Sequence, residues 1–294
     1  MVSLNKKRKV FDIMIFLLPS LFGLIVFQLI PFGYSFFLSL TDWDVLGDIN
    51  FIGLTNYLNL IKSEEFWRVL WNTLYYMIIY IPGILIVSLG LASLLNKRLS
   101  GIKFYRVIFY IPVLTSWVAA ALLWKWLLSP YYGPINEIVN LFGMNGPSWL
   151  YDKNWAMPGI VLASIWKDMG FFGLIFLSAL KSINPTYYEA AKIDGASNIN
   201  KFFNITLPLI SPTMLFVIII SIINSFQLFP QVMIMTEGGP HGSTEVMVER
   251  IYKYAFDYYK MGYASAFSWI LFVFILITTI IQLKLQKKWV HYES

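Results

Sequence analysis

Long apolar runs alternate with shorter polar connectors along almost the whole chain. Each run has about 20 or more predominantly apolar residues, the length an α-helix needs to cross the hydrocarbon core of a bilayer. The pattern therefore predicts six membrane-spanning helices and an all-α, polytopic fold. The runs cover residues 13–40, 69–96, 107–128, 157–180, 207–235 and 263–283.

The first run follows a basic start, Lys-Lys-Arg-Lys at residues 6–9. A basic segment before an apolar one is also the pattern of a signal peptide, but this run is too long for the apolar core of one and lacks a small-residue cleavage site. We therefore expect it to remain as the first span. Pro19 and Pro31 are expected to bend it, because proline removes a backbone hydrogen bond.

The composition agrees with a membrane protein. The 294 residues are 58% hydrophobic and 13% charged, with a mean hydropathy of +0.65, whereas a soluble domain has about 25% charged residues. The absence of cysteine excludes disulfides, thiol catalysis and cysteine-bound metals. The net charge of +6 could indicate nucleic acid. In a membrane chain, however, basic residues collect on cytoplasmic connectors, so we expect a lipid bilayer and no nucleic acid as partner.

The basic residues are unevenly distributed between the two sides that six spans create. Fourteen of the 22 lysines and arginines fall at the two ends and on the even-numbered connectors, and six fall on the odd-numbered connectors. By the positive-inside rule, both termini and the connector at residues 184–208 are cytoplasmic. We expect a cytoplasmic segment at residues 1–12, one transmembrane domain at residues 13–285 and a cytoplasmic tail at residues 286–294.

The polar connector at residues 184–208 predicts two short helices. Asn184 is a good N-cap and Pro185 suits the first helical position, where its missing N–H leaves no bond unmade. Gly195 offers a left-handed stop after the first helix, because it has no Cβ. Ser197 is positioned to cap a second helix, whose apolar residues recur at helical spacing: Ile199, Phe202 and Phe203.

Seven residues of this connector resemble the EAA loop of ABC-importer permeases. The family pattern is Glu-Ala-Ala, three residues, Gly, nine residues, Ile, one residue, Leu-Pro. The resemblance implies the maltose-permease-like (MetI-like) fold, with a loop that docks on a cytoplasmic ATPase; the alternative is an ordinary amphipathic loop between two spans. We call residues 184–208 the EAA loop. The matching residues are Glu189, Ala190, Ala191, Gly195, Ile205, Leu207 and Pro208.

Three flanking stretches look like carbohydrate-importer permeases. They are LPSLFGLIVFQLIPFGYSFFLSLTDWD in the first span, Asn72-Thr73 in the second, and TEGGPHGST after the fifth, where Glu237 replaces the usual Gly. This resemblance implies a sugar or oligosaccharide as cargo and a prokaryotic inner (cytoplasmic) membrane. It also implies three kinds of partner: a second, homologous permease in a heterodimer, two cytoplasmic ATP-binding subunits, and an extracytoplasmic sugar-binding protein.

The chain shows no nucleotide-binding motif of its own. There is no Gly-x-x-x-x-Gly-Lys-Ser/Thr pattern and no Gly-Lys pair, so no P-loop cradles phosphates here. We expect a transport subunit without cofactors, with ATP and Mg²⁺ on the partner ATPase. In the EAA loop, Glu189 and Asp194 are expected to bond or ion-pair with that partner, and Ala190 and Ala191 to let its backbone approach.

Polar side chains within the fifth and sixth runs are candidates for a substrate path, since such residues are costly in hydrocarbon. On a continuous helix, Asn224, Gln227 and Gln231 share one face at i, i+3 and i+7. Amides suit sugar hydroxyls and aromatic rings suit the C–H face of a pyranose; the alternative is that they only join helices. The candidates are Asn224, Phe226, Gln227, Phe229 and Gln231, with Ser265 and Ser268 as weaker ones.

Other readings of the chain depend on its few titratable residues within spans. Lys167-Asp168 could act as a proton relay in an ion-driven secondary transporter, although adjacent residues point about 100° apart on a helix; bonding of Asp168 within the bundle is the alternative. An intramembrane enzyme lacks a nucleophile–base set. His241 and His291 are far apart and do not suggest a metal site. An ABC importer of a non-sugar solute stays open.

Overall fold

The computed structural model describes residues 6–97 and 100–290. Within them the regular structure is helical, apart from one isolated antiparallel bridge between Thr41 and Phe51, which confirms the all-α prediction. The helices are α1 Lys6–Leu24, α2 Ile30–Ser39, α3 Thr55–Lys62, α4 Glu64–Leu95, α5 Ile102–Leu114, α6 Trp117–Leu127, α7 Pro134–Leu141, α8 Ala156–Ser182, α9 Pro185–Ile193, α10 Asn198–Lys201, α11 Leu207–Leu209, α12 Ser211–Phe226, α13 Pro230–Met235, α14 Met247–Tyr252 and α15 Met261–Leu285.

Four helical stretches in this part of the chain are long and apolar enough to cross a membrane, and two bent pairs bring the number to six if each pair is one span. The four correspond to the first, second, fourth and sixth apolar runs. The second begins at Glu64, five residues before the predicted start, because Glu64 and Glu65 in its first turn complement the helix dipole. The four stretches are Ile13–Ser39, Glu64–Leu95, Ala156–Ser182 and Met261–Leu285.

The first span contains a π-helical turn, Ile25–Leu29, between α1 and α2. The amide of Ile30 donates to the carbonyl of Ile25, five residues back. Pro31 follows at once, and proline has no N–H for the carbonyl four residues earlier and clashes with it. The π turn thus accommodates the proline, and the helix continues to Ser39.

The third span is not the single helix predicted for residues 107–128. It divides into α5 and α6, which meet at 100°. Thr115 adopts an extended conformation, and the Ser116 side chain caps α6 by accepting a hydrogen bond from the amide of Ala119 at 3.2 Å. The prediction was wrong because a hydropathy pattern does not register a cap between two apolar helices.

The fifth span also departs from the continuous helix predicted for residues 207–235. A bend of 67° separates Asn198–Leu209 from α12. At the other end α12 stops at Phe226, and α13 starts at Pro230. Phe229 has φ −147° and ψ −65°, which lies outside the α region and interrupts the helix before Pro230. The prediction of one helical face through Asn224, Gln227 and Gln231 was therefore wrong.

The chain forms two compact units. The smaller unit contains residues 6–62 and 251–270; the larger unit contains residues 63–97, 100–250 and 271–290. The single domain at residues 13–285 stays a prediction.

In the smaller unit, α2 and α15 meet through the indole ring of Trp269. Its centroid lies 4.5 Å from the Phe32 ring and 4.9 Å from the Phe36 ring. At the start of α15, Gly262 approaches the backbone closely: a Cβ there would lie 2.0 Å from the carbonyl oxygen of Thr41. A glycine is therefore required where the two helices join.

The larger unit is organised around the pairing of α4 with α8. Its core includes Tyr80 and Ile84 from α4 and Phe172 and Phe176 from α8, each at most 1% exposed. The helix α5 packs on α8 as well. Gly170 permits this contact, since a Cβ at that position would lie 2.0 Å from the carbonyl oxygen of Phe109.

Candidate functional site

The EAA loop forms the two capped helices that its sequence predicts. The Asn184 side chain accepts a hydrogen bond from the amide of Thr186 at 3.0 Å, at the start of α9. Gly195 has φ +75°, which is the left-handed region. The Ser197 hydroxyl accepts from the amide of Asn200 at 3.2 Å. The second helix differs in form, because α10 has only four residues and continues as a π-helical turn, Phe202–Thr206.

The residues of the EAA motif divide between an exposed tip and an anchored base. At the tip, Glu189, Ala190, Asp194 and Gly195 are exposed and Ala191 is half-buried. At the base, Ile205, Leu207 and Pro208 are half-buried, and Leu207 packs on the core of the larger unit. Tyr188 and Thr206 connect the two parts through a hydroxyl–hydroxyl bond of 2.9 Å.

Apolar side chains on the EAA loop are also exposed. Ile193 is 87% exposed, Ile199 70% and Phe203 61%. More than half of each side chain is thus accessible, although apolar side chains of this size are normally buried. Together with the exposed Glu189 and Asp194, they form a mixed apolar and acidic surface on two short helices.

A polar cavity of about 250 Å³ lies in the larger unit. It contains three of the predicted path residues, Asn224, Gln227 and Gln231, whereas Phe226 is buried and Phe229 is half-buried elsewhere. Five other residues line the cavity that were not predicted to form a substrate path. The complete lining is Tyr76, Tyr80, Trp117, Asp168, Asn224, Gln227, Pro230 and Gln231.

The break between α12 and α13 brings the three amides to the cavity. Asn224 lies in the last turn of α12, Gln227 follows the end of that helix, and Gln231 is at the second position of α13. The amides meet because the chain leaves the helix and restarts at Pro230, not because they share a helical face. The Pro230 signal was present in the sequence and points to this break.

Aromatic rings form another part of the lining. Tyr76 and Tyr80 are one turn apart on α4, and their rings stack with centroids 5.2 Å apart. Their spacing of four residues on one helix was the signal available in the sequence. Trp117, the first residue of α6, is at the cavity because α6 turns away from α5.

Lys167 and Asp168 have separate partners. The Lys167 ammonium donates to the carbonyl oxygens of Pro112 at 3.2 Å and Val113 at 3.3 Å, and lies 5.2 Å from the Trp117 ring centroid. Asp168 Oδ2 accepts a hydrogen bond from the Tyr80 hydroxyl at 2.6 Å. Bonding of Asp168 within the bundle, the alternative to a proton relay, is therefore observed.

The two serine candidates belong to the smaller unit. Ser265 is half-buried, and the Ser268 hydroxyl donates to the carbonyl of Ala264 at 2.9 Å. Ser268 thus bonds its own helix, α15. Of the two histidines, His241 lies in the connector after α13, and His291 lies outside the described residues.

Two of the flanking sequence motifs contact each other. The Asn72 side chain on α4 donates to the carbonyl oxygens of Gly242 at 2.8 Å and Glu245 at 3.0 Å, and the Thr73 hydroxyl accepts from the amide of Met247 at 3.3 Å. The connector after α13 is thereby fixed to α4. Glu237 has φ +54°, a conformation that glycine adopts more easily.

This architecture, several apolar helices with a two-helix loop and a polar cavity, defines a polytopic membrane transport component. Residues 51–291 match the family model described as binding-protein-dependent transport system inner membrane component. The chain belongs to this family. It is a multi-pass cell-membrane protein, a permease subunit of the ABC-importer type and not an enzyme.

Curated relatives cover nearly the whole chain. The probable ABC transporter permease protein YesP of Bacillus subtilis (strain 168) is 35% identical over 284 residues, which are 95% of this chain and 91% of YesP. The trehalose/maltose transport system permease protein MalF of Thermococcus litoralis is 34% identical over 272 residues, 91% of each chain. These identities and coverages support the family assignment over both units.

A solved structure shows the same fold. A chain of the bacterial alginate ABC transporter, crystallised in complex with an alginate pentasaccharide-bound periplasmic protein, superposes with a TM-score of 0.82. It is 24% identical to this chain, and the match covers 96% of both chains. The fold prediction, an ABC-importer permease, is confirmed.

Proposed function

We propose that the chain is a permease subunit of an ATP-driven, binding-protein-dependent importer of a sugar or oligosaccharide. It works by alternating access, with a separate ATPase driving the change through the EAA loop. The observation that carries this proposal is the exposed EAA tip on a base packed into the larger unit, the unit that also holds the cavity. A force applied to the tip reaches the helices that line the cavity.

The surface of the EAA loop suits a groove on an ATPase. A short helix that inserts apolar side chains into a groove is a recurring mode of recognition, and Ile193, Ile199 and Phe203 supply such side chains. Glu189 and Asp194 add acceptors for basic or polar groups on the partner. Two ATP-binding subunits, which hold the ATP and Mg²⁺, complete the importer in this proposal.

The remaining partners follow from the family and from the first span. Between residues 13 and 37 no side chain of that span is buried in the described residues, so lipid and a second, homologous permease are proposed to cover it. An extracytoplasmic sugar-binding protein delivers the cargo. The alginate transporter, crystallised with such a periplasmic protein, supports this arrangement.

The cavity offers the two kinds of contact that sugars use. Asn224, Gln227 and Gln231 present amides for hydroxyl groups, and the rings of Tyr76 and Trp117 present apolar faces. The relative MalF is named a trehalose/maltose permease, which supports a sugar as cargo. We expect one sugar ring of the cargo to pass through this cavity at a time, since about 250 Å³ is small for a ligand site.

The test is reconstitution after co-purification in mild detergent. We expect a cytoplasmic ATPase and a second permease to accompany the chain, and vesicles containing all of them to take up a labelled disaccharide only with ATP and the binding protein. A labelled amino acid serves as the control cargo. Uptake by this chain alone on an ion gradient, without nucleotide, contradicts the proposal in favour of a secondary transporter; uptake of the amino acid instead indicates a non-sugar importer.

A further inference from the structure

The lining of the polar cavity contains an acidic side chain and, in the described residues, no basic one. Among the described residues that line it, Asp168 is the only one with an acidic or basic side chain. One of its oxygens, Oδ2, accepts the Tyr80 hydroxyl. A carboxylate has further acceptor capacity beyond one such bond, so Asp168 is able to accept hydrogen bonds from a group in the cavity.

The neighbouring lysine does not reach the cavity itself. Lys167 is 6% exposed and is not part of the lining. Its ammonium is bonded to the carbonyl oxygens of Pro112 and Val113, at the end of α5, and lies near the Trp117 ring. Two of its three donors are therefore taken by backbone acceptors.

A second lining residue has an acceptor that is unpaired within the described residues. Gln231 is 5% exposed, and its Oε1 is buried without a hydrogen-bond partner in the described residues. A buried polar atom without a partner is costly and rare in proteins. A hydroxyl or ammonium group of a ligand would satisfy it once the Gln231 amide turns this oxygen towards the cavity.

We propose that Asp168 and Gln231 make this cavity an acceptor site that binds the hydroxyl or amino groups of an uncharged or amino sugar and disfavours a carboxylate, phosphate or sulfonate at this position. Asp168 is a specificity-determining residue in this view, because an anionic group would meet like charge in a poorly solvated place. The inference rests on the proposed function for the identity of the cargo as a sugar, but the cavity charge is measurable without it.

The absence of cysteine in the chain permits a direct measurement. Asn224 is exposed in the cavity, so Asn224→Cys introduces the only thiol of this chain. In the assembled importer, the rates of modification by cationic trimethylammonium-ethyl and anionic sulfonatoethyl methanethiosulfonate are followed by mass spectrometry of this chain. Tyr131→Cys, at a site 90% exposed, gives the intrinsic ratio of the two reagents.

We expect the cation-to-anion rate ratio at Asn224→Cys to exceed that at Tyr131→Cys by about tenfold, on the order of a charge interaction across a few ångströms in a medium less polar than water. Adding Asp168→Asn should remove most of this excess, and Asp168→Glu should keep it. Glu137→Gln, which removes one exposed carboxylate on α7, is the matched control and should leave the ratio unchanged.

Each outcome decides the proposal. Equal ratios at the two cysteines, or an excess that persists in Asp168→Asn, overturn it, and the comparison of the two single-cysteine proteins stands even if Asp168→Asn fails to assemble. Failure of the proposed function gives a different result: the excess at Asn224→Cys is present while vesicles that contain the unsubstituted chain take up no sugar. A missing excess together with ATP-dependent sugar uptake refutes only the charge selectivity.

Discussion

At the scale of single residues, Gly195 fixes the shape of the EAA loop. Its φ of +75° lies where L-residues other than glycine are strained. A Cβ at this position would meet no atom within 4 Å, so a substitution acts through the backbone alone. The turn between α9 and α10 therefore depends on this conformation and not on packing.

Gly195 gives a prediction about coupling. Gly195→Val should reduce ATP-dependent uptake by about tenfold, because a β-branched residue is disfavoured by about 1–2 kcal/mol in the left-handed region and the loop would relax to another shape. Gly195→Asn is the matched control, since asparagine tolerates that region, and should keep most of the activity. Uptake and membrane content are measured together; equal uptake by both variants at equal content would show that the turn does not couple.

Lys167 is a second residue whose role is clear from its contacts. It is buried in a span and joins α8 to the end of α5 through two carbonyl oxygens. The last carbonyls of a helix have no intrahelical partner, and in hydrocarbon no water replaces one. The lysine thus satisfies the helix end that the break in the third span creates.

Removing these hydrogen bonds should destabilise the larger unit. Lys167→Met leaves the carbonyls of Pro112 and Val113 without this donor, so we expect a loss of about 1–3 kcal/mol, the range for a buried polar group left without a partner. Lys181→Met, an exposed position on the same helix, is the control. Thermal unfolding in detergent should show a midpoint lowered by several degrees for Lys167→Met only. Equal midpoints for the two variants would contradict the structural role of Lys167.

At the scale of elements, some of the residues that set helix contacts and breaks can be recognised from the sequence, and others cannot. The caps at Asn184 and Ser197 were predictable, because they depend on adjacent residues. Pro230 in the sequence also indicated the break between α12 and α13, but the hydropathy pattern alone favoured one long helix. The break at Ser116 had only a weak cap signal, and the approach of Gly170 to Phe109 depends on packing between distant elements, which a single sequence does not reveal.

The contact between α5 and α8 makes a testable case. Gly170→Ala would place a Cβ 2.0 Å from a backbone oxygen of α5, so the helices must separate and the unfolding midpoint should fall by several degrees, as for overpacking that costs about 1–3 kcal/mol. Gly90→Ala, in α4, meets nothing within 4 Å and should be neutral or slightly stabilising, because alanine favours helix more than glycine does. A neutral Gly170→Ala would refute the close approach.

At the scale of the whole molecule, the sequence predicts the helical membrane character and the family more securely than the relation between elements. The EAA pattern and the apolar runs are local features, and the family match over residues 51–291 agrees with both. The cavity is different in kind. Tyr76, Trp117, Asp168 and the amides come from five helices, α4, α6, α8, α12 and α13, and from the segment between the last two, so only the folded chain brings them together.

Orientation in the membrane is a property of the entire chain, and the uneven distribution of lysine and arginine predicts it. The EAA loop should face the cytoplasm and the connector between α6 and α8 the outside.

Single cysteines in the cysteine-free chain test this orientation at two well-exposed positions, Ile193, 87% exposed, and Tyr131, 90% exposed. A membrane-impermeant maleimide added to intact spheroplasts should label Tyr131→Cys and should label Ile193→Cys only after the membrane is permeabilised. The permeabilised sample controls for reactivity at both sites. Labelling of Ile193→Cys in intact spheroplasts would show that the EAA loop lies outside the cell. A cytoplasmic ATPase could not then reach the loop, so this result would contradict both the predicted orientation and the proposed coupling.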